Sequence, residues 1–303
     1  MTAIFLPAIT LLNRLGFKAK FAIIFVSVLL PLAVLATLTL QGINAEVRTL
    51  RSESRGVEFL TALRAPIERM QEHRALMLTL LTGPDGGLRT QVNQLRPQID
   101  ARITALNDVA ARLGADADID NRISSISSGW AAIKTMDAAA VSTNVAAHSD
   151  LISELIALGE YASDYFEVSL SSHLDTYYLG DAIVNRLPAM TEALMRVRTQ
   201  AALAAVDGEV SEETRISMEV LLYNINSYRA AVGRGLESAI KANPELRQAI
   251  GTAMRSNEQL STEFIELVRQ NLLQAELVTG NTDVVTNAAN QAVDAAYTLY
   301  DAI

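Results

Sequence analysis

The chain has 303 residues, of which 50% are hydrophobic, 19% are charged and none is cysteine, and its formal net charge is −9. The lack of cysteine excludes a disulfide framework, a thiolate metal site and a cysteine nucleophile. A general nucleic-acid binder needs a basic surface, so the acidic balance argues against nucleic acid as a partner.

The first predicted element is an uncharged stretch from Phe21 to Leu40, FAIIFVSVLLPLAVLATLTL. A helix of this length extends about 30 Å, the thickness of the hydrocarbon core of a bilayer. Its polar residues, Ser27, Thr37 and Thr39, can bond to their own helix backbone, and Pro31 can kink the helix without preventing insertion. We therefore predict a transmembrane helix, with the lipid bilayer as a partner.

The charges on either side of this stretch predict its orientation. The three charges before Glu46 are all positive, namely Arg14, Lys18 and Lys20. Positive residues stay on the cytoplasmic side of a membrane. We expect residues 1–20 to be a cytoplasmic N-terminus, 21–41 a signal-anchor helix in a bacterial inner membrane, and 42–303 an extracytoplasmic region in the periplasm.

Two other interpretations of the apolar stretch remain open. A buried core helix can be equally apolar, and a cleaved signal peptide would place Val34 and Ala36 at the −3 and −1 positions of its cleavage site. The full spanning length and the central Pro31 favour an uncleaved anchor.

Residues 42–303 carry a helical pattern throughout. Good helix formers dominate, and apolar residues recur at intervals of three and four, as in Ile216, Val220 and Tyr223. Clusters of Gly, Pro, Asp and Asn interrupt the pattern and predict helices at 43–82, 88–113, 119–139, 142–171, 176–206, 211–242, 244–279 and 282–303. The break near residue 140 is weak, so the third and fourth helices can also be one.

The fold class we predict is all-α, with the N-terminal transmembrane helix followed by an elongated antiparallel helical bundle. A short repeat suggests how the bundle is divided. Arg64-Ala65-Pro66 precedes Arg74 by ten residues, Arg186-Leu187-Pro188 precedes Arg196 by ten, and the two copies are offset by 122 residues. A duplication would give two stacked four-helix modules, although matches this short also arise by chance.

Several segments resemble bacterial sensor domains. MQEHRALMLTLLTG (Met70–Gly83) with LRTQVNQLRPQID (Leu88–Asp100) resembles the first helical pair of nitrate-sensing-type and related helical sensor domains. SSHLDTYYLGDAIVNRLPAMTEAL (Ser171–Leu194) and NQAVDAAYTLYDAI (Asn290–Ile303) resemble parts of the long helical ectodomains of methyl-accepting chemotaxis proteins. The resemblance implies a periplasmic ligand sensor, a homodimer and a second membrane span beyond Ile303. Ala75 stands where the nitrate-sensing pattern has glycine, so the resemblance does not imply that this chain binds nitrate.

No catalytic or metal-binding constellation is evident. His73, His148 and His173 are far apart in the sequence, and none has a ligand partner at a metal-binding spacing. No glycine-rich phosphate loop follows a strand, and no nucleophile lies on a strained turn. We expect no enzymatic activity, no metal and no cofactor.

The arginines are the best candidates for ligand chemistry, because a guanidinium between helices binds a carboxylate or nitrate with two hydrogen bonds. The predicted ligand-binding residues are Arg69, Arg74, Arg186, Arg196 and Tyr177. The alternative for each arginine is a surface ion pair, and the alternative for Tyr177 is packing at a helix start. The single tryptophan, Trp130, is expected to be a packing anchor.

The function we predict from the sequence is the ligand-sensing region of a transmembrane chemoreceptor that acts in chemotaxis and signal transduction. A small anionic ligand would bridge helices and displace them by 1–2 Å, the usual scale of such signals. The alternatives are a membrane-anchored helical scaffold or protein-interaction module, and the sensor of a histidine kinase or nucleotide cyclase.

Overall fold

The computed structural model describes residues 15–171, 173–274 and 282–303. Within these ranges the regular structure is entirely helical, as predicted. The α-helices are α1 (Phe17–Thr82), α2 (Leu88–Leu113), α3 (Ala117–Ile133), α4 (Val141–Tyr165), α5 (Leu174–Asp181), α6 (Leu187–Asp207), α7 (Glu212–Ala242), α8 (Leu246–Val268) and α9 (Thr282–Ala302). The predicted helix end at 279, the turn at Gly280-Asn281 and the charge of Arg14 lie outside the described residues.

The chain divides into two compact units, one up to Arg51 and one from Ser52 onward. In the first unit, every residue from 21 to 48 is exposed, and α1 is long and apolar enough here to cross a membrane. The predicted backbone bonds of the polar residues are confirmed. Ser27 donates to the Ile24 carbonyl (2.8 Å), Thr37 to that of Ala33 (2.8 Å) and Thr39 to that of Leu35 (2.9 Å).

The second unit contains two groups of helices. Residues 52–82 of α1 contact α2 through Glu58 and Arg112, α3 through His73 and Trp130, and α4 through His73 and His148. Helices α6, α7, α8 and α9 pack with their neighbours in a second group. The stacking of one module on the other is not confirmed, because α1 contacts both groups over the same stretch. Leu63 packs at Gly159 of α4, while the Leu60 carbonyl accepts a hydrogen bond from Tyr300 of α9 (3.1 Å).

The two copies of the short repeat, which are offset by 122 residues, have different environments. Arg74 is 1% exposed, whereas its counterpart Arg196 is exposed. Arg64 pairs with Glu68 in its own helix and with Asp301 of α9, while Arg186 pairs with Asp181. The repeat therefore does not correspond to two equivalent sites.

The predicted helix from 142 to 171 ends earlier, at Tyr165. Glu167 has a φ of 65°, which an α-helix cannot contain, and a short 3₁₀ turn follows at Val168–Leu170. The break near 140 separates α3 from α4.

The predicted helix from 176 to 206 is interrupted by a π-helical turn at Ala182–Arg186, just before Pro188. Proline has no N–H to donate and its ring crowds the preceding turn, so a widened turn accommodates it.

The apolar spacing in α7 marks a helix, as predicted, but not a buried face. Ile216, Val220 and Tyr223 are exposed, and the core contacts come from Met218 and Leu222. The helical period is confirmed, while the rotation of the helix about its axis is set by packing.

Candidate functional site

A buried ion pair joins α1 to α6. The Nη1 atom of Arg74 donates to Oε1 of Glu192 (2.7 Å), and Nη2 donates to Oε2 (3.0 Å). The Arg74 side chain is 1% exposed and that of Glu192 is 10% exposed. Nη1 also donates to the hydroxyl of Ser149 on α4 (2.8 Å). Because an unpaired charge costs several kcal/mol in a protein interior, this pair fixes α1 against α6.

The same carboxylate is connected to α9 through two more side chains. Gln71, one turn before Arg74 on α1, donates through Nε2 to Oε2 of Glu192 (3.1 Å). Its amide oxygen accepts a hydrogen bond from the Tyr297 hydroxyl of α9 (2.8 Å). Burial raises the pKa of Tyr297 above its ordinary value, so the hydroxyl keeps its proton and remains a donor. The Arg74–Glu192–Gln71–Tyr297 network thus ties three helices together.

His73 and His148 are in direct contact, contrary to their expected isolation. Both side chains are fully buried, and Nδ1 of His73 lies 2.8 Å from Nε2 of His148. Nδ1 of His148 lies 2.7 Å from the backbone carbonyl oxygen of Asn144. This oxygen can only accept a hydrogen bond, so Nδ1 of His148 carries a proton. In a neutral pair, Nε2 of His148 is then the acceptor and His73 donates from Nδ1. Nε2 of His73 has no hydrogen-bond partner among the described residues.

The environment of the two histidines keeps them uncharged. Burial, followed by the charge of His148, lowers the pKa of His73 to about 3, and burial lowers that of His148 to about 4. The ring of His73 also meets Trp130 edge to face, with centroids 4.9 Å apart. At neutral pH the contact is therefore a hydrogen bond between two uncharged rings, which joins α1 to α4.

Trp130 is a packing anchor, as predicted, and it also makes a polar contact. The indole is 2% exposed, and its Nε1 donates to Oδ1 of Asp100 on α2 (2.7 Å). Lys134 donates to the same oxygen (2.7 Å). These contacts connect α2 and α3 next to the histidine pair.

An open cleft of about 400 Å³ lies beside the Arg74–Glu192–Gln71–Tyr297 network, between α1, α6 and α9. Arg69 and Glu72 of α1, Arg198 of α6 and Asp294 of α9 line it. Arg69 pairs with Glu72 (2.5 Å). Arg198 is half-buried. No hydrogen bond or salt bridge joins it to a described residue, and the Glu72 carboxylate attracts it only through space.

The unpaired state of Arg198 has an electrostatic cost. Burial and, next, the positive charge of Arg74 lower the pKa of Arg198 from its ordinary value, and the negative charge of Glu72 offsets part of this shift. A guanidinium remains protonated even so, and it carries five N–H donors. A ligand carboxylate in the cleft would supply the missing partner.

The structure distributes the predicted ligand-binding residues over different places. Arg69 lines the cleft, and Arg74 lies in the core beside it. Arg186 pairs with Asp181 (3.0 Å), and Arg196 is exposed. Tyr177 is exposed and packs edge to face on Tyr178, outside the cleft. The five residues do not form one site.

Three features were not predicted from the sequence: Glu192 as the partner of Arg74, the histidine contact, and Arg198 in the cleft. One signal was present in the sequence. Arg74 continues the apolar stripe of Ile67 and Met70 along α1, and a charge at such a position predicts a buried partner. The identity of that partner carries no comparable signal, because it lies more than a hundred residues away.

Comparisons with protein-family models, curated proteins and solved structures gave no match for this chain.

Proposed function

We propose that the region after about residue 42 is the ligand-sensing extracytoplasmic part of a bacterial transmembrane chemoreceptor. Its ligand is a small molecule with a carboxylate group, bound in the cleft between α1, α6 and α9. The observation that carries the proposal is the unpaired, half-buried guanidinium of Arg198 in a cleft that three helices line. A carboxylate accepts two hydrogen bonds from such a group and offsets its charge.

The position of the cleft suggests how binding becomes a signal. Its wall includes Gln71 and Tyr297, two members of the network that holds α1, α6 and α9 in register. An anion at Arg198 also reduces the repulsion between this residue and Arg74. Binding therefore favours a different arrangement of α6 and α9 against α1, with displacements of about 1–2 Å between packed helices.

The apolar stretch of the first unit supports a membrane anchor. Residues 21–40 expose apolar side chains on all sides of α1, which suits a lipid environment. With the positive residues in the cytoplasm, the cleft faces the periplasm. The receptor acts as a homodimer, the arrangement expected from its resemblance to chemotaxis receptors.

Titration of the full chain in lipid nanodiscs tests this function. The panel contains acetate, succinate, nitrate and the common amino acids, with binding measured by calorimetry and by thermal unfolding. A ligand at one hundred times its dissociation constant stabilises the folded state by about 2.7 kcal/mol, which raises the melting temperature by several degrees.

Arg198→Gln is the decisive variant, since it removes the guanidinium that lacks an ion-pair partner among the described residues and leaves the other charges of the cleft in place. We expect it to weaken binding by roughly tenfold or more, the value of a lost charge-assisted hydrogen bond. Arg102→Gln, at an exposed position on α2, is the matched control. Binding that is equal in both variants would remove the ligand from this cleft. No binding by any compound to folded protein would favour the scaffold function.

A further inference from the structure

A groove of about 910 Å³ lies between α7 and α8, and it shares no lining residue with the cleft. The wall on α7 contains Gly233, Arg234 and Lys241, and the wall on α8 contains Met254 and Asn257. No member of the Arg74–Glu192–Gln71–Tyr297 network and no histidine lines the groove. The groove is therefore separate from the sensor cleft and from the histidine pair.

The floor of the groove combines apolar side chains with one unsatisfied polar group. Val232 is buried and Met254 is half-buried. Asn257 is 2% exposed, and its Oδ1 atom has no hydrogen-bond partner among the described residues. A buried polar atom without a partner is rare and costly, so an amide that borders an open groove suggests a missing ligand group. Gly233 leaves room, since a Cβ atom there would meet nothing within 4 Å.

The carboxylates of the groove already have partners. Glu237 pairs with Arg247 (3.6 Å), Glu258 pairs with Arg229, and Glu263 accepts a hydrogen bond from Gln259 (2.8 Å). Glu237 and Glu258 are therefore paired with arginines, whereas Glu263 keeps its negative charge because Gln259 is neutral.

Three cations are left over. Arg234, Lys241 and Arg255 line the groove, and none pairs with a carboxylate of residues 15–171, 173–274 or 282–303. Arg234 and Lys241 are seven residues apart on α7, so they lie on the same face of the helix. A local excess of positive charge on a chain of net charge −9 favours an anionic occupant.

We infer that the α7–α8 groove is a second ligand site, which binds a small carboxylic acid with an apolar body. The apolar body lies on Val232 and Met254, and the carboxylate accepts hydrogen bonds from Arg234 and Lys241. Oδ1 of Asn257 accepts a hydrogen bond from a hydroxyl or N–H group of the ligand. A site of this kind is typical of small-molecule pockets, in which an apolar surface gives affinity and a few polar groups fix the orientation.

Titration of the full chain in nanodiscs with three matched probes tests this site. Hexanoate carries the apolar body and the carboxylate, acetate lacks the apolar body, and hexylamine carries the opposite charge. We expect hexanoate to bind at least tenfold more tightly than either of the other two. Equal binding of hexanoate and hexylamine would overturn the inference, because the cations would then play no part.

Two variants locate the binding. Arg234→Gln should weaken hexanoate binding at least fivefold, whereas the control Arg102→Gln should leave it unchanged. Gly233→Leu should abolish binding by filling the groove, while Gly233→Ala should retain most of it. Hexanoate affinity that is the same in Arg234→Gln, Gly233→Leu and the unmodified chain would place the ligand elsewhere.

Two further measurements distinguish small-molecule binding in the groove from binding in the proposed sensor cleft and from self-association through the groove. Arg198→Gln should leave the part of hexanoate binding that Gly233→Leu abolishes unchanged, since Arg198 does not line the groove. Sedimentation velocity of the Gly233→Leu protein tests whether a second copy of the chain, rather than a small molecule, occupies the groove. Loss of self-association in this variant, without hexanoate binding to the unmodified chain, would make the groove a protein interface and refute the ligand site.

Discussion

The guanidinium of Arg74 and the carboxylate of Glu192 face each other with two parallel hydrogen bonds in the core of the second unit. They lie 118 residues apart in the sequence, on α1 and α6. The pair, with Ser149 and Gln71, occupies a position that apolar side chains fill elsewhere along α1. The helices can slide or rotate past each other only if this pair is broken or moves as a unit.

Removing one partner of this pair should strongly destabilise the protein. We expect Glu192→Leu to lower the free energy of unfolding by about 3–5 kcal/mol, because it leaves the Arg74 charge buried and unpaired. The double variant Arg74→Met with Glu192→Leu should recover most of that loss. Thermal unfolding followed by circular dichroism measures both.

The exposed pair of Arg186 and Asp181 is the control for this experiment. Its side chains are 39% and 25% exposed, so Arg186→Met should cost no more than about 1 kcal/mol. A loss in Glu192→Leu as small as that would contradict the role of Arg74 and Glu192 in holding the helices.

The histidine contact predicts an acid-sensitive fold. The pKa values of His73 and His148 are lowered to about 3 and about 4, from about 6.5 in the unfolded chain. The unfolded chain therefore binds more protons between pH 6.5 and pH 3. The stability that these groups contribute is full above pH 6.5 and decreases as the pH falls through that window.

Melting temperatures measured from pH 7 to pH 4 test the contribution of the histidines. We expect the double variant His73→Met with His148→Leu to lose less stability over this interval than the unmodified chain. His173→Gln, at an exposed position, should retain the original dependence. Identical slopes in all three proteins would show that other groups cause the acid sensitivity.

The hydrogen bonds of the histidine pair also predict its tautomers. The Asn144 carbonyl requires a proton on Nδ1 of His148, and this leaves Nδ1 of His73 as the donor between the rings. We expect both rings to carry their proton on Nδ1 at pH 7. Nitrogen chemical shifts of ¹⁵N-labelled histidine measure this directly, and a proton on Nε2 of His148 would be incompatible with the contact.

Two glycines in helices should respond in opposite directions to the same substitution. A Cβ atom at Gly56 of α1 would lie 2.3 Å from Cγ2 of Val168 and 2.7 Å from Cβ of Phe166. We expect Gly56→Ala to destabilise the fold by about 1–3 kcal/mol through overpacking. Gly233→Ala meets no atom within 4 Å and should stabilise α7 by about 0.5–1 kcal/mol. Melting temperatures that move in the same direction would contradict these contacts.

Asp100 should control the environment of Trp130, the only tryptophan in the chain. Asp100→Ala removes the acceptor of the indole N–H and of Lys134. We expect a loss of about 1–3 kcal/mol, because a buried donor is left without a partner. Intrinsic fluorescence reports the change, and unchanged emission and stability would argue against the Asp100 contact.

The sequence by itself determined the helical class, most helix boundaries and the apolar stretch that can cross a membrane. These properties depend on local causes, such as helix propensity, apolar periodicity and breakers. The cap of α7 is an example, since Ser211 accepts from the Thr214 amide (3.1 Å) as its position predicts. The sequence did not predict where α4 ends. The backbone turns into the left-handed region at Glu167, and a glutamate, unlike a glycine, does not indicate such a turn.

Only the tertiary structure decided which polar residues meet. Arg74 is as long and as charged as Arg196, yet one is buried against Glu192 and the other is exposed. His73 and His148 touch across 75 residues of sequence, and Arg198 lines the cleft without an ion-pair partner in the part of the chain that the structure describes. These outcomes depend on how each helix rotates about its axis and slides along its neighbours. The packing of the whole core sets both, and no local pattern in the sequence encodes them.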